Sequence, residues 1–155
     1  MDEKERYVKL LEDSHAAMRA LLDVVDKDIE IYPTWTIKEI LDHLTGWDEL
    51  SETALRAYAV GEDVGTPAAR GIDYYNLQSV ATRESLSYEH SVKEWELARQ
   101  GFIAALQALP EDKMTETFNF PWGHSGTIKQ FVGIFIHHNF THAEEIGEII
   151  KKVQE

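Results

Sequence analysis

Cysteine is absent from the 155-residue chain. That removes disulfide staples, thiolate metal ligands and a cysteine nucleophile. A transition metal, if one is held, must therefore rest on histidine and carboxylate. Proline occurs only four times, so long helices can run with few interruptions. Cations are also scarce: 15 Lys and Arg against 28 Asp and Glu give a net charge of −13. Such a balance argues against nucleic acid, whose binding draws on cationic contacts to phosphate, and against anionic lipid. No stretch approaches the ~18 apolar residues of a membrane span. The opening Met-Asp-Glu-Lys-Glu-Arg is charged, with no apolar signal region behind it, and the expected location is cytoplasmic.

What the chain does have is helical patterning. Its length suits a single domain over residues 1–155. Residues 3–26 carry Tyr7, Leu10, Leu11, Ala17, Met18, Leu21, Leu22 and Val25 at intervals of three and four, one face of a helix. Asp26–Thr34 breaks the pattern around Pro33. A second helix is predicted from Thr34 or Thr36 to about Tyr58, with Thr36 and Glu39 spaced as a capping box. Its inner face would be Ile37, Ile40, Leu41, Leu44, Trp47 and Leu50. Gly61–Gly71 reads as a loop. Ile72–Leu109 is too long for one bundle helix at ~1.5 Å per residue. It divides into a short helix near 74–81 and a main helix near 85–109, whose apolar positions include Val92, Trp95, Leu97, Ala98, Phe102 and Leu106. Pro110 stops it. Residues 115–126 form a loop or small hairpin. The last helix runs from Thr127, its cap, to about Lys152, with Phe131, Ile134, Phe135, His138, His142, Ile146 and Ile149 inward. The expected fold is all-α, a four-helix bundle with a long crossover.

Seven histidines are present, and position sorts them. His138 and His142 are one turn apart on the apolar stripe of the last helix. His43 sits among Ile40, Leu41, Leu44 and Trp47 on helix two. Three imidazoles from two helices can converge at ~2.0–2.1 Å on one ion and leave a fourth position open. Buried histidines held only by hydrogen bonds give the same pattern, and spacing alone leaves both readings standing. His137 points about 100° away from His138. His15 and His90 lie in polar helical surroundings and receive no role. No phosphate-binding loop or dinucleotide fingerprint is present. Gly123-His124-Ser125-Gly126 is one residue short of a nucleophile elbow. The carboxylates do not make the Glu-x-x-His pairs of a di-iron bundle.

Trp35-Thr-Ile-Lys-Glu-Ile-Leu-Asp-His43-Leu-Thr-Gly-Trp-Asp resembles the helix-two signature of the DinB-like superfamily, which includes the metal-binding domain of mycothiol-dependent maleylpyruvate isomerase. His138-Asn-Phe-Thr-His142-Ala-Glu-Glu-Ile146 resembles that family's last-helix motif. Pro121-Trp122-Gly123 with Thr127 is similar to the connection before it. The likeness runs from about Glu5 to Ile150. It implies a DinB-like four-helix bundle with His43, His138 and His142 as ligands of a divalent metal, nickel or zinc. Many members have Gly-Gln where this chain has Glu144-Glu145, so Glu145 is either a carboxylate that orients a ligand imidazole or a solvated one.

The resemblance further implies a metal-dependent enzyme acting on a small molecule, a transferase, isomerase or hydrolase, with a low-molecular-weight thiol as a conceivable co-substrate and a homodimer as the expected assembly. Trp47, Tyr75, Asn76 and Trp122 are candidate pocket walls, and His124 is a loop histidine near the bundle mouth. Two other readings stay open: a bundle that sequesters a small molecule or serves a stress response, and a metal-free structural bundle.

Overall fold

The computed structural model describes residues 2–154. Five α-helices and one hairpin follow in the order α1 (Glu3–Leu22), α2 (Ile37–Ala59), α3 (Ile72–Ala81), α4 (Tyr88–Gln107), β1 (Thr117–Asn119), β2 (Ser125–Thr127) and α5 (Ile128–Gln154). Helices α1, α2, α4 and α5 make the four-helix bundle, in which α2 lies along α4 and α1 along α5. The short helix α3 packs on α2 from within the crossover. No described helix is long and apolar enough to cross a membrane.

The ends of the helices follow from local side-chain chemistry. Asp2 and Glu5 close a capping box on α1. That helix stops four residues before the expected 26, because Asp26 turns its carboxylate onto the backbone N–H of Asp28 at 2.9 Å and draws the chain into a turn. The capping box expected on α2 does not form. The Thr36 hydroxyl donates to the Glu39 carboxylate at 2.6 Å instead of accepting from backbone. Ser87 caps α4 by accepting from His90 N–H, which sets its start at Tyr88 rather than near 85. At α5 a reciprocal box does form: Thr127 N–H donates to Gln130, and Gln130 N–H to the Thr127 hydroxyl.

β1 and β2 pair antiparallel, with Phe118 opposite Gly126. In their connection Gly123 takes φ +106°, a conformation that glycine tolerates. The turn Phe120–Gly123 lays Trp122 parallel to Phe131, at 5.7 Å and 11°.

The core divides into two apolar clusters along the bundle. One holds Leu11, Trp47, Phe102, Phe131 and Phe135; the other holds Met18, Ile40, Leu44, Trp95 and Ile146. On each long helix a polar residue falls between the two: Ser14 on α1, Asp48 on α2, Arg99 on α4 and Asn139 on α5. Arg99 and Asp48, each 2% exposed, make two parallel bonds at 2.9 and 3.1 Å. Arg99 also donates to Leu11 carbonyl and the Ser14 hydroxyl. With its amide oxygen toward the guanidinium, Asn139 accepts at 3.0 Å. A buried charge needs such complete pairing.

Two residues expected in the core face outward: Leu97 is 54% exposed and Ile134 46%. Leu97 lies two residues beyond Trp95, about 200° around the helix, while the true inward row is Trp95, Ala98, Phe102 and Leu106.

Candidate metal centre

His43 is carried by the middle of α2, where Ile40, Leu41 and Leu44 bury its flanks. His138 and His142 come from successive turns of α5. Nε2 of His142 lies 3.4 Å from Nε2 of His43 and 2.7 Å from Nε2 of His138. One ring nitrogen from each of the three falls within 4.8 Å of the others. Metal–nitrogen bonds of ~2.0–2.1 Å in a tetrahedral set separate ligand nitrogens by roughly 3.3 Å, so the spacing across the two helices suits a single small ion.

The electrostatics suit it too. Burial lowers all three histidines, assisted for His43 and His138 by neighbouring imidazoles. His43 falls to about 3 and His138 to about 4, and His142 is likewise lowered by burial. Near neutral pH the rings are uncharged and their lone pairs are available, which is the form a metal binds.

Each helix receives support from outside it. Nδ1 of His43 donates to Asn76 Oδ1 at 2.8 Å, a partner that places the proton on Nδ1 and leaves the Nε2 lone pair facing the other two rings. The same amide oxygen accepts from Trp47 Nε1 at 2.6 Å. Nδ1 of His142 meets the Tyr32 hydroxyl at 2.8 Å. A phenol is both donor and acceptor, so it serves either tautomer of that ring. Burial first, and then the Glu145 carboxylate, raise Tyr32 above its ordinary range. Tyr32 lies in the turn before α2, which also brings the Trp35 ring 5.3 Å from His43. Within that turn Thr34 takes φ +70°, uncommon for a β-branched residue.

A cavity of about 460 Å³ opens beside the triad, lined among others by His43, His138, Trp47, Asn76 and Trp122. Of the residues singled out in the sequence, Trp47, Asn76 and Trp122 are thus gathered at one place with the histidines. Tyr75 stands behind Trp47, 4.5 Å ring to ring, and donates to the Gly46 carbonyl. Glu145 is exposed, and its carboxylate acts on Tyr32 and through space on His138. His124 is exposed and does not line the cavity, because the turn at Gly123 aims it outward. His137, read as off the inner stripe, is exposed but lies on the cavity wall with Thr141.

Sequence reasoning missed Tyr32, which it placed in a pattern break. His15 also departs from its polar reading: it stacks on Trp95 at 3.9 Å and contacts Glu96 at 3.1 Å. His90 is the surface residue it was expected to be, paired with Glu94.

The model of the DinB superfamily matches residues 10–146. The chain is 22% identical over 129 residues to the uncharacterised protein YuaE of Bacillus subtilis, covering 77% of this chain and 80% of that one. Solved structures of three proteins are among those that share its fold. Mycothiol-dependent maleylpyruvate isomerase superposes with a TM-score of 0.78 at 14% identity over 94% of this chain, which spans 61% of that protein's length. YfiT from Bacillus subtilis, described as a probable metal-dependent hydrolase with an unusual four-helix bundle topology, gives 0.76 at 15% identity, covering 99% of this chain and 90% of that one. The colibactin self-resistance protein ClbS, solved in complex with a dsDNA, gives 0.77 at 14% identity, covering 94% and 93%.

ClbS corrects one expectation. A net charge of −13 was read as excluding nucleic acid, yet a protein of this architecture has been captured on duplex DNA. Net charge sums the whole surface, whereas DNA contacts are made by local groups, backbone N–H among them. The exclusion does not hold.

Proposed function

The chain belongs to the DinB superfamily, and from that premise we propose that it is a divalent-metal-dependent enzyme acting on a small molecule. His43, His138 and His142 hold the metal. The observation that carries this reading is the convergence of three neutral imidazoles from two helices, two of which, His43 and His138, also line an apolar cavity. A set of three nitrogen donors leaves a coordination position open, the arrangement of a reactive rather than a structural centre. Zinc and nickel both suit imidazole donors.

An ion at this centre would supply Lewis acidity, lowering the pKa of a small nucleophile or polarising a carbonyl. The chain's own residues do the rest. Asn76 and Tyr32 fix the ligand rings, and Trp47, Trp122 and Phe135 keep water from the reacting face. YfiT's description and the isomerase's dependence on mycothiol favour two nucleophiles, water and a low-molecular-weight thiol. The reaction is accordingly a hydrolysis or a thiol-dependent transfer.

Elemental analysis of the purified protein tests the centre. About one zinc or nickel per chain is expected, and none in the variant with all three histidines replaced by alanine. Equal metal content in the two proteins would end this reading. Turnover of an activated aryl ester, with and without added thiol, then separates the two nucleophiles.

A second reading has one observation in its favour. Apart from the exposed His137, no titratable side chain outside the triad lines the cavity to relay a proton. A protein that only captures a small molecule needs none, and it would show saturable binding with no product.

A further inference from the structure

The cavity beside the triad differs in character from the rest of the surface. On a chain with a net charge of −13, not one Asp, Glu, Lys or Arg lines it. Its walls are Trp47, Trp122 and Phe135, and its rim carries Ile72 and Ile134, which are 57% and 46% exposed. Large aliphatic side chains held in water at the mouth of a concave site mark a surface that meets an apolar partner.

Aromatic rings make most of the walls, and two of their polar groups are already engaged. Trp122 is stacked on Phe131, and its ring stands 6.0 Å from that of Trp47 at 76°. Trp47 gives its only N–H to Asn76. Asn76 Oδ1 already accepts twice, from His43 and from Trp47, so both its lone pairs are used. What remains for a ligand is aromatic face, aliphatic rim, the N–H donors of Trp122 and Asn76, the Thr141 hydroxyl, His137 and the open side of the triad.

We infer that the cavity takes a compound with a flat, uncharged aromatic body and a single anionic or polarisable head, the head directed at His43, His138 and His142. The part about the head rests on the metal reading above; the part about the body does not. Size agrees, since about 460 Å³ lies in the range of pockets that enclose one small organic molecule. Charge narrows the class. A second anionic group would lie in an apolar wall with no cation to pair it. An ammonium would find no carboxylate and would face a dication. Dicarboxylates, phosphate esters and polyamines are therefore poor ligands, and an aryl compound with one thiol, carbonyl, ester or hydroxamate head is a good one.

Calorimetry on two forms of the full chain tests both parts. The metal-free protein is titrated with neutral 2-naphthol, which reads the walls alone. Saturable binding is expected, weakened at least ~10-fold by Ile134→Glu or by Ile72→Glu, exposed rim positions whose replacement leaves the core intact. Absence of naphthol binding, or indifference to both rim charges, overturns the aromatic body. The zinc-loaded protein is then titrated with benzohydroxamate and acetohydroxamate. Burying the ring favours the first by on the order of 30-fold, and equal affinities overturn the proposal. If the protein retains no zinc, the head falls together with the metal reading, and the naphthol result alone decides the body.

Discussion

Asn76 Oδ1 accepts from His43 Nδ1 at 2.8 Å, and this bond ties a helix of the crossover to the histidine cluster on the bundle. Asn76 sits on α3, ten residues that add little to the core: only Ser79 among them is buried. The contribution of α3 lies instead in Asn76 and in the Tyr75 bond to Gly46. In the metal-loaded protein, Asn76→Ala should lower zinc affinity about 10- to 100-fold, the usual cost of losing such an orienting partner. Asn76→Asp, which keeps an acceptor there, should hold most of it. Competition with a chromophoric chelator measures both, and an unchanged affinity in Asn76→Ala would show that the bond orients nothing.

Close approach of α3 to α2 depends on Gly46. A Cβ there would overlap the Ser79 hydroxyl and lie 2.7 Å from Ser79 Cβ. Gly46→Ala gains helix propensity of about 1 kcal/mol, but overpacking of this kind costs typically ~1–3 kcal/mol, and the clash should prevail. Ser79→Gly in the same chain removes the obstacle. A double-mutant cycle from urea unfolding should return a coupling of at least ~1 kcal/mol. Additive effects would mean that α3 simply moves aside at no cost.

The helices and the histidine convergence were legible because both rest on periodicity. An imidazole on an apolar stripe stands out, and His43, His138 and His142 each sit on one. What periodicity does not mark was lost. Tyr32 reaches His142 from a turn around Pro33, a segment whose direction no repeat encodes. Arg99 lies one turn from Trp95 and three residues before Phe102, so its inward position was written in the sequence. An arginine is ordinarily read as solvated, and its partner Asp48 is 51 residues away. Ile134 was assigned to the core beside Phe135, yet the two differ by about 100°, enough to move it from the interior to the cavity rim.

Arg99 and Asp48 stand between the two apolar clusters, and their removal should be felt by all four long helices. Asp48→Ala leaves a buried guanidinium short of its counter-ion and should cost ~3–5 kcal/mol. Arg99→Met strands the carboxylate at similar cost. The double replacement Asp48→Leu with Arg99→Met removes both charges, and it should recover most of the loss, since apolar substitutes for buried pairs are often neutral. Urea unfolding of the four proteins decides it. A double variant as unstable as the singles would mean that the bonds to Ser14, Leu11 and Asn139, rather than the ion pair, hold this layer.

His15 gives the fold a pH dependence separate from the triad. Burial lowers it from its ordinary 6.5 to about 4, helped by Arg99 and Arg19 and opposed by Asp48. Glu96, which contacts Nε2 at 3.1 Å, is itself paired with Arg19, and Nδ1 is buried without a partner. The folded value lies below the unfolded one, so the folded state resists protonation. Stability from this residue is complete above pH 6.5, declines as pH falls, and is fully lost below about 4. The contribution should be about 1–2 kcal/mol once partial solvent access is allowed for. His15→Gln removes the titration but also the stacking on Trp95, so the variant should be less stable than the parent at pH 7. That gap should narrow steadily between pH 6.5 and 4 as the parent loses what the variant never had. A constant gap across the interval, measured by urea unfolding at several pH values, would show that His15 protonates as readily folded as unfolded.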